Sequence, residues 1–319
     1  VEVMPYPLFK YPPYTLALAA KMAAVAEEAE LDILHVHYAI PHATCAFLAR
    51  NMIKCRDVKI ITTLHGTDIT LVGSDKSFYQ ITKFSIEESH GITAVSESLK
   101  QDTLSLFGVE NDIRVIPNFV DTHRFQRKVG QCNLKDIVAD DEKIILHISN
   151  LRPVKRVTDV IRMYVKVKPK IKSKLLIVGE GPDRVPAQEL AAELGLRDSV
   201  VFLGQQEGVD DILSCADLYL LPSEQESFGL SALEAMSCEV PVIGTNVGGV
   251  PELVQHGANG FITEVGDVEK MAEHAIAILS DDDYRQKVGR NARQSVLDNF
   301  GEERVIPQYE AYYEEVLSR

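Results

Sequence analysis

Two successive series of short, β-branched apolar runs, each run followed by a helical stretch, constrain this chain more than any other feature of its sequence. In the first series, Leu18, Met22, Val25, Ala26 and Ala29 recur at helical spacing within residues 16–30. Strands are expected at 33–36, 58–64, 91–95 and 113–116, with helices at 43–52, 78–88 and 97–106 between them. The second series places strands at 143–148, 174–178, 200–203, 218–221 and 240–243. Near-continuous apolar strands separated by helices predict a buried parallel sheet, and two series predict two doubly wound α/β domains. Residues 121–141, rich in Arg, Lys, Gln and Asp with little periodicity, are the expected linker.

Composition narrows the class. Apolar residues make up 45% and charged residues 25% of 319, which excludes disordered, collagenous and coiled-coil chains. No run approaches the ~18 apolar residues of a membrane span. The net charge, 33 − 47 = −14, disfavours nucleic acid and anionic membranes as partners. Cys45, Cys55, Cys132, Cys215 and Cys238 form no CxxC pair and read as reduced thiols of a cytoplasmic protein. The chain opens at Val1 on an extended, Pro-rich stretch instead of a strand–loop–helix unit, so it is expected to begin inside a larger domain.

Ligands of open parallel sheets bind beyond the carboxyl ends of the strands, and two facing sheets would place a site in the cleft between them. The residues just after each strand are therefore the candidates. After strand 218–221, apolar periodicity from Phe228 onward predicts a helix starting near Ser227. Its amino end would offer free amides and a positive dipole end to a diphosphate, and Gly229 would let the backbone approach a ligand closely. Glu226 precedes that helix and Glu234 follows eight residues on, roughly 12 Å along a helix axis. Taken alone, this is also an ordinary capped helix with two solvated glutamates. Asn150, Arg152 and Lys155 follow strand 143–148, where cations can neutralise a diphosphate. His65 follows strand 58–64, and Tyr38 follows strand 33–36. His35, His37 and His42 lack a carboxylate cluster, so no metal site is expected there. Asp281, Asp282 and Asp283 precede a helix and read as its cap and not as a metal motif.

The stretch from Glu226 to Met236, with Gly244-Thr245-Asn246-Val247-Gly248-Gly249-Val250-Pro251-Glu252, Asn259-Gly260-Phe261 and Val265-Gly266-Asp267, resembles the signature of retaining glycosyltransferases of the GT-B fold. The resemblance implies two Rossmann-like domains facing across a cleft. Residues 1–121 with 302–319 would form the acceptor-side domain, and 122–301 the nucleotide-sugar domain. A final helix from Glu302, carrying Tyr309, Tyr312 and Tyr313, would return to the first domain; packing on its own domain is the alternative. HYAIPHA (37–43), TTLHGTDIT (62–70), SNLRPVKR (149–156) and SEQESFGLSALEAM (223–236) resemble a narrower branch of that family. That branch moves N-acetylglucosamine from UDP-N-acetylglucosamine to the hydroxyl of L-malate, with retained configuration, at the start of bacillithiol biosynthesis. It carries a further N-terminal segment, with a first strand and a glycine-pair loop over the donor. The resemblance implies that this segment is missing here, and that a chain truly without it would be inactive.

By the same resemblance, the catalytic set is His65, Glu226 and Lys155. Donor contacts fall to Asn150, Arg152, Lys155, Glu226, Phe228, Gly229, Leu230 and Glu234. The family places Arg where this chain has Asn150, which leaves the role of Arg152 open. Acceptor contacts fall to Tyr38, Thr63, His65 and, as the cation facing a dicarboxylate, Lys83. No general base, metal or other cofactor is implied, since the departing diphosphate can take the acceptor proton. Partners would be the two small substrates, with homo-oligomerisation left open. The competing expectations are a related transferase with another acceptor, a UDP-sugar 2-epimerase, and a non-catalytic nucleotide-sugar binder.

Overall fold

The structure, a computed structural model, describes residues 13–128, 134 and 136–319. Residues 1–7 and Cys132, discussed above, lie outside the described residues. Two compact units are present: the described residues up to Pro117 with Ile306–Arg319, and Asn118–Val305.

The first unit runs α1 (Tyr14–Glu28), β1 (Ile33–His37), α2 (Thr44–Met52), β2 (Lys59–Leu64), α3 (Tyr79–Glu87), β3 (Gly91–Ala94), α4 (Glu97–Phe107) and β4 (Ile113–Val115). Its four strands are parallel in the order β1-β2-β3-β4, with Val36 opposite Thr62 and Thr62 opposite Ile92. Both faces of the sheet are covered, so β2 is buried from Ile60 to Leu64, with the hydroxyls of Thr62 and Thr63 in its otherwise apolar run satisfied by Ser89 and Thr93. Ala19, Ala23 and Ala26 of α1 and Ala46 and Ala49 of α2 are all buried. Small side chains at helical spacing let these two helices approach closely. Ser96 caps α4 by accepting the Leu99 N–H, and Gly108 ends it in the left-handed region.

The second unit runs β5 (Lys143–Ile148), α5 (Val157–Val167), β6 (Ser173–Val178), α6 (Arg184–Glu193), β7 (Val200–Gly204), α7 (Val209–Cys215), β8 (Leu218–Leu221), α8 (Leu230–Ser237), β9 (Val242–Thr245), α9 (Val250–Leu253), β10 (Gly260–Thr263), α10 (Val268–Ser280) and α11 (Asp282–Asn299). Its six parallel strands order as β10-β9-β8-β5-β6-β7. The chain winds outward from β5 in one direction and then from β8 in the other. The switch point between them is where an open sheet leaves a crevice at its carboxyl edge. The helix α5 is sharply amphipathic: its Val157, Val160, Ile161, Tyr164 and Val167 join Leu175 and Ile177 of β6 in one core, all fully buried. Each large apolar side chain so buried contributes about 1.5–3 kcal/mol.

α12 (Glu302–Ser318) closes the chain, and its residues from Ile306 onward belong to the first unit. There the Tyr312 hydroxyl accepts the Ile92 N–H at 2.9 Å and donates to the Ile92 carbonyl at 3.2 Å. Arg114 pairs with Glu315 at 2.6 Å and lies over the Tyr312 ring, and the Tyr313 hydroxyl is 2.7 Å from His35 Nδ1.

Several elements differ from expectation. The helix placed at Ser227 begins at Leu230, because Gly229 sits at φ +100° and Phe228 is buried against Phe300 instead of continuing a turn. Glu226 is therefore a loop residue, and the axial estimate of its distance from Glu234 does not apply. The strand placed at 240–243 runs Val242–Thr245: the Val240 N–H returns to Ala235 O at the end of α8, and Pro241 has no N–H to give. β10 was not expected at all. As expected, Asp281 accepts the Tyr284 N–H at 3.0 Å and caps α11, while Asp282 pairs with Lys143 at 2.6 Å. Cys45, Cys55 and Cys238 are free thiols, but Cys215 is disulfide-bonded. Five reduced thiols is thus corrected, since such a pairing follows from tertiary proximity and leaves no mark in sequence spacing. Among the described residues, no helix is long and apolar enough to cross a membrane.

Candidate active site

In the second unit, the loops after β5 and β8 flank the switch point and meet there. Lys155 Nζ lies 2.6 Å from Glu226 Oε2, with side chains only 22% and 15% exposed. Ser223 donates to the same oxygen at 3.1 Å, and the Glu224 N–H bonds to Val154 O at 2.8 Å. A partly desolvated, charge-assisted pair of this kind fixes both side chains. Beneath it, the buried His147 ring bonds Leu220 O through Nδ1 at 3.0 Å and Ser149 Oγ through Nε2 at 2.9 Å. Burial holds this imidazole down to about 4, so it is neutral at pH 7. His147 thereby ties the end of β5 to β8.

The glycine stretch after β9 explains how Glu226 is held. The Gly249 N–H bonds the Glu226 carbonyl at 3.0 Å. A Cβ on Gly248, which sits at φ +51°, would lie 1.9 Å from that same carbonyl oxygen. The backbone of Gly248 is thus packed directly on the backbone of Glu226. Asn150 and Arg152 are exposed, and Arg152 forms no ion pair among the described residues. The first amides of α8, at Leu230 and Ser231, have no intrahelical partner, as at any helix start. Glu234, one helical turn further, is pushed up to about 7 by burial, opposed by nearby Arg124 and reinforced by Asp210.

In the first unit, the turns after β1 and β2 carry a hydrogen-bonded group of rings. His37 Nδ1 and His65 Nε2 are 2.8 Å apart, and the Tyr38 and His65 ring centroids 5.0 Å. Burial holds both His35 and His65 down to about 4, with His37 repelling each. His37 is lowered too, by burial and then by His42. These rings are neutral at pH 7. Asp68, 2% exposed, accepts the Ala39 N–H at 2.8 Å, the Gly66 N–H at 2.9 Å and the His65 N–H at 3.2 Å. Burial raises its carboxyl, and those N–H groups oppose the rise.

Two expected acceptor residues are placed differently. Lys83 donates to Phe107 O at 2.8 Å and lies 3.6 Å from Glu87. Phe107 ends α4, which runs from the carboxyl end of β3 back toward the start of β4, so Lys83 is drawn away from His65 and caps a helix. The Thr63 hydroxyl is fully buried, 2.7 Å from both His35 Nε2 and Thr93 Oγ1; it orients His35 and offers nothing to a ligand. Asp68 and His147 were not among the site residues expected from sequence, and Gly248 was named only within the signature loop 244–252, with no role of its own. A small acidic residue three positions after a strand-end histidine was the available signal for Asp68. Among the described residues, no group of three or more His, Cys, Asp or Glu is placed to hold a metal ion.

Residues 134–295 match the family Glycosyl transferases group 1, and residues 1–124 match Glycosyltransferase Family 4. The chain belongs to the group 1 glycosyl transferases. It is 49% identical over 318 residues to N-acetyl-alpha-D-glucosaminyl L-malate synthase of Bacillus anthracis, covering 99% of this chain and 83% of that protein. Among solved structures, it resembles Anabaena HepE in complex with UDP and glucose, with a TM-score of 0.84 and 21% identity over 97% of this chain and 84% of that one. It likewise resembles sucrose-phosphate synthase from Thermosynechococcus elongatus, with a TM-score of 0.82 and 21% identity over 100% of this chain and 83% of that one. At that identity the structural likeness speaks for the fold alone, which is the two-sheet GT-B architecture.

Proposed function

We propose that this protein is a retaining glycosyltransferase that moves N-acetylglucosamine from UDP-N-acetylglucosamine to the hydroxyl of L-malate. The observation that carries the reading is the 49% identity to the Bacillus anthracis synthase along 99% of the chain. The Lys155–Glu226 pair suits that chemistry, because it presents a cation and a carboxylate together at the switch point. Lys155 and the amides of Phe228, Gly229 and Leu230 receive the diphosphate, with Asn150 and Arg152 beside them. Glu226 accepts from sugar hydroxyls and Glu234 from the ribose. Tyr38 and His65 line the acceptor side. The anomeric carbon–phosphate oxygen bond breaks as the malate oxygen–carbon bond forms on the same face. The malate hydroxyl proton passes to the departing phosphate oxygen, giving UDP and the glycoside. Lys155 and helix amides stabilise the growing charge on the leaving group, so no metal is required.

The test offers UDP-N-acetylglucosamine with a panel of hydroxy acids, sugars and inositol phosphates, in excess EDTA, and reads products by mass. A malate glycoside is expected. UDP release with a different adduct, an epimerised donor without an adduct, or activity restored only by Mg²⁺ or Mn²⁺ would overturn the corresponding part of the reading.

Glu234 adds a pH dependence. Its carboxyl titrates near 7 in the free protein, and ribose hydroxyls donate best to the ionised form. Below pH 7 a proton must leave before the nucleotide binds. UDP affinity therefore falls by up to about tenfold per pH unit below 7. Glu234→Gln abolishes the part of the slope due to this group, which separates it from the titration of the phosphate itself. Calorimetry giving wild-type and Gln proteins the same pH slope would remove Glu234 from the nucleotide site.

A further inference from the structure

The two candidate acceptor-side residues, Tyr38 and His65, sit on two separate turns with unusual backbones. Tyr38 is at φ +78° and the peptide between Ile40 and Pro41 is cis; Gly66, next to His65, is at φ +111°. A non-glycine residue at positive φ persists only where its surroundings hold it. One side chain reaches both turns. Asp68 Oδ2 accepts the N–H of Ala39, adjacent to Tyr38, and Oδ1 accepts the N–H groups of His65 and Gly66. No Lys or Arg forms an ion pair with this buried carboxylate among the described residues, so its interactions are all spent on the two turns. Its own backbone is fixed by close packing, since a Cβ on Gly73 would lie 2.1 Å from the Asp68 carbonyl oxygen.

We infer that Asp68 is a positioning residue of the acceptor side, a clamp that sets the spacing of Tyr38 and His65 by holding the turn after β1 to the turn after β2. The acceptor assignment rests on the function proposed above; the clamp itself does not. Asparagine has nearly the same shape, but its amide group would turn a donor toward the Ala39 N–H or toward the Gly66 and His65 N–H groups. One side of the clamp would then open, and the His37–His65 contact at 2.8 Å would loosen with it.

The test compares wild type with Asp68→Asn by imidazole nitrogen NMR on histidine-labelled protein, alongside kinetics. The resonances of His37 and His65 are expected to move. Those of His90 in the first unit, and of His147, His256 and His274 in the second, should stay in place and report an intact fold. The turnover number should fall about 10–100-fold with the acceptor that wild type uses, while KM for the nucleotide sugar stays within about twofold, because the proposed donor residues lie on the other unit. Unmoved His37 and His65 resonances overturn the clamp whatever the acceptor is. So does a loss shared equally by donor affinity and turnover. Should the Asn protein not fold, Asp68→Glu keeps both acceptor oxygens, displaced by one methylene, and the same resonances decide. Wild type that ignores L-malate, with His37 and His65 shifting as expected in the variant, sinks the acceptor reading and leaves the clamp standing.

Discussion

Glu226→Gln lowers the turnover number by about 10²–10³-fold while the protein stays folded. The carboxylate receives Lys155 at 2.6 Å and Ser223 at 3.1 Å on one oxygen, and in the proposed complex it also accepts sugar hydroxyls. Charge-assisted hydrogen bonds are worth about 1.5–3 kcal/mol each, so losing the charge facing two hydroxyls accounts for about 3–4 kcal/mol of transition-state binding. The stability cost is smaller. Both partners keep some contact with water, and the Gln carbonyl can still accept from Lys155, so about 1 kcal/mol is expected instead of the several lost on breaking a fully buried pair. Steady-state rates with a melting curve decide the matter. A Gln variant within threefold of wild-type turnover would remove Glu226 from the reaction.

Much of the fold is legible in the sequence because parallel strands buried on both faces must be largely apolar, with any buried polar side chain hydrogen-bonded. Ile60 to Leu64 and Leu218–Leu221 announce themselves in this way. What escaped depends on contacts between distant segments. β10 is four residues long, starts at Gly260, and is a strand only because β9 is beside it. The start of α8 was misplaced because periodicity sees Phe228 as a helical apolar residue, whereas its ring is buried against Phe300, 72 positions away.

The site divides in the same manner. Residues directly after strands, such as Lys155, Glu226, Tyr38 and His65, can be nominated from topology alone. Lys83 cannot be excluded that way, because its partner Phe107 lies 24 residues on. Thr63 is implied as an acceptor contact by the family resemblance, yet its hydroxyl is consumed by His35 and Thr93. Sequence spacing shows which side chains reach the carboxyl edge of a sheet. It does not show which of them already have partners.

Gly248→Ala is expected to be nearly as damaging as a change in Glu226 itself, although residue 248 has no side chain to offer a substrate. The new Cβ would lie 1.9 Å from the Glu226 carbonyl oxygen and 2.9 Å from its carbon. Both atoms are backbone, so no side chain can rotate aside. The residue also holds φ +51°, which costs an alanine about 1 kcal/mol or more. Either the loop of residues 222–229 moves or the 244–249 turn does. In both cases the Gly249 N–H to Glu226 carbonyl bond breaks and the carboxylate leaves Lys155. Overpacking and backbone strain together should cost about 2–4 kcal/mol of stability in the second unit. Misplacing the carboxylate by about 1 Å should lower turnover by about 10²-fold. The reading that separates this from simple destabilisation is the thermal shift produced by UDP. If Gly248 matters because it seats the nucleotide-sugar loop, the Ala protein melts lower and loses most of the stabilisation that UDP confers on wild type. An Ala variant that melts lower but keeps the full UDP shift and wild-type turnover would show that the loop tolerates displacement, and that the close approach of these two backbones belongs to folding and not to the site.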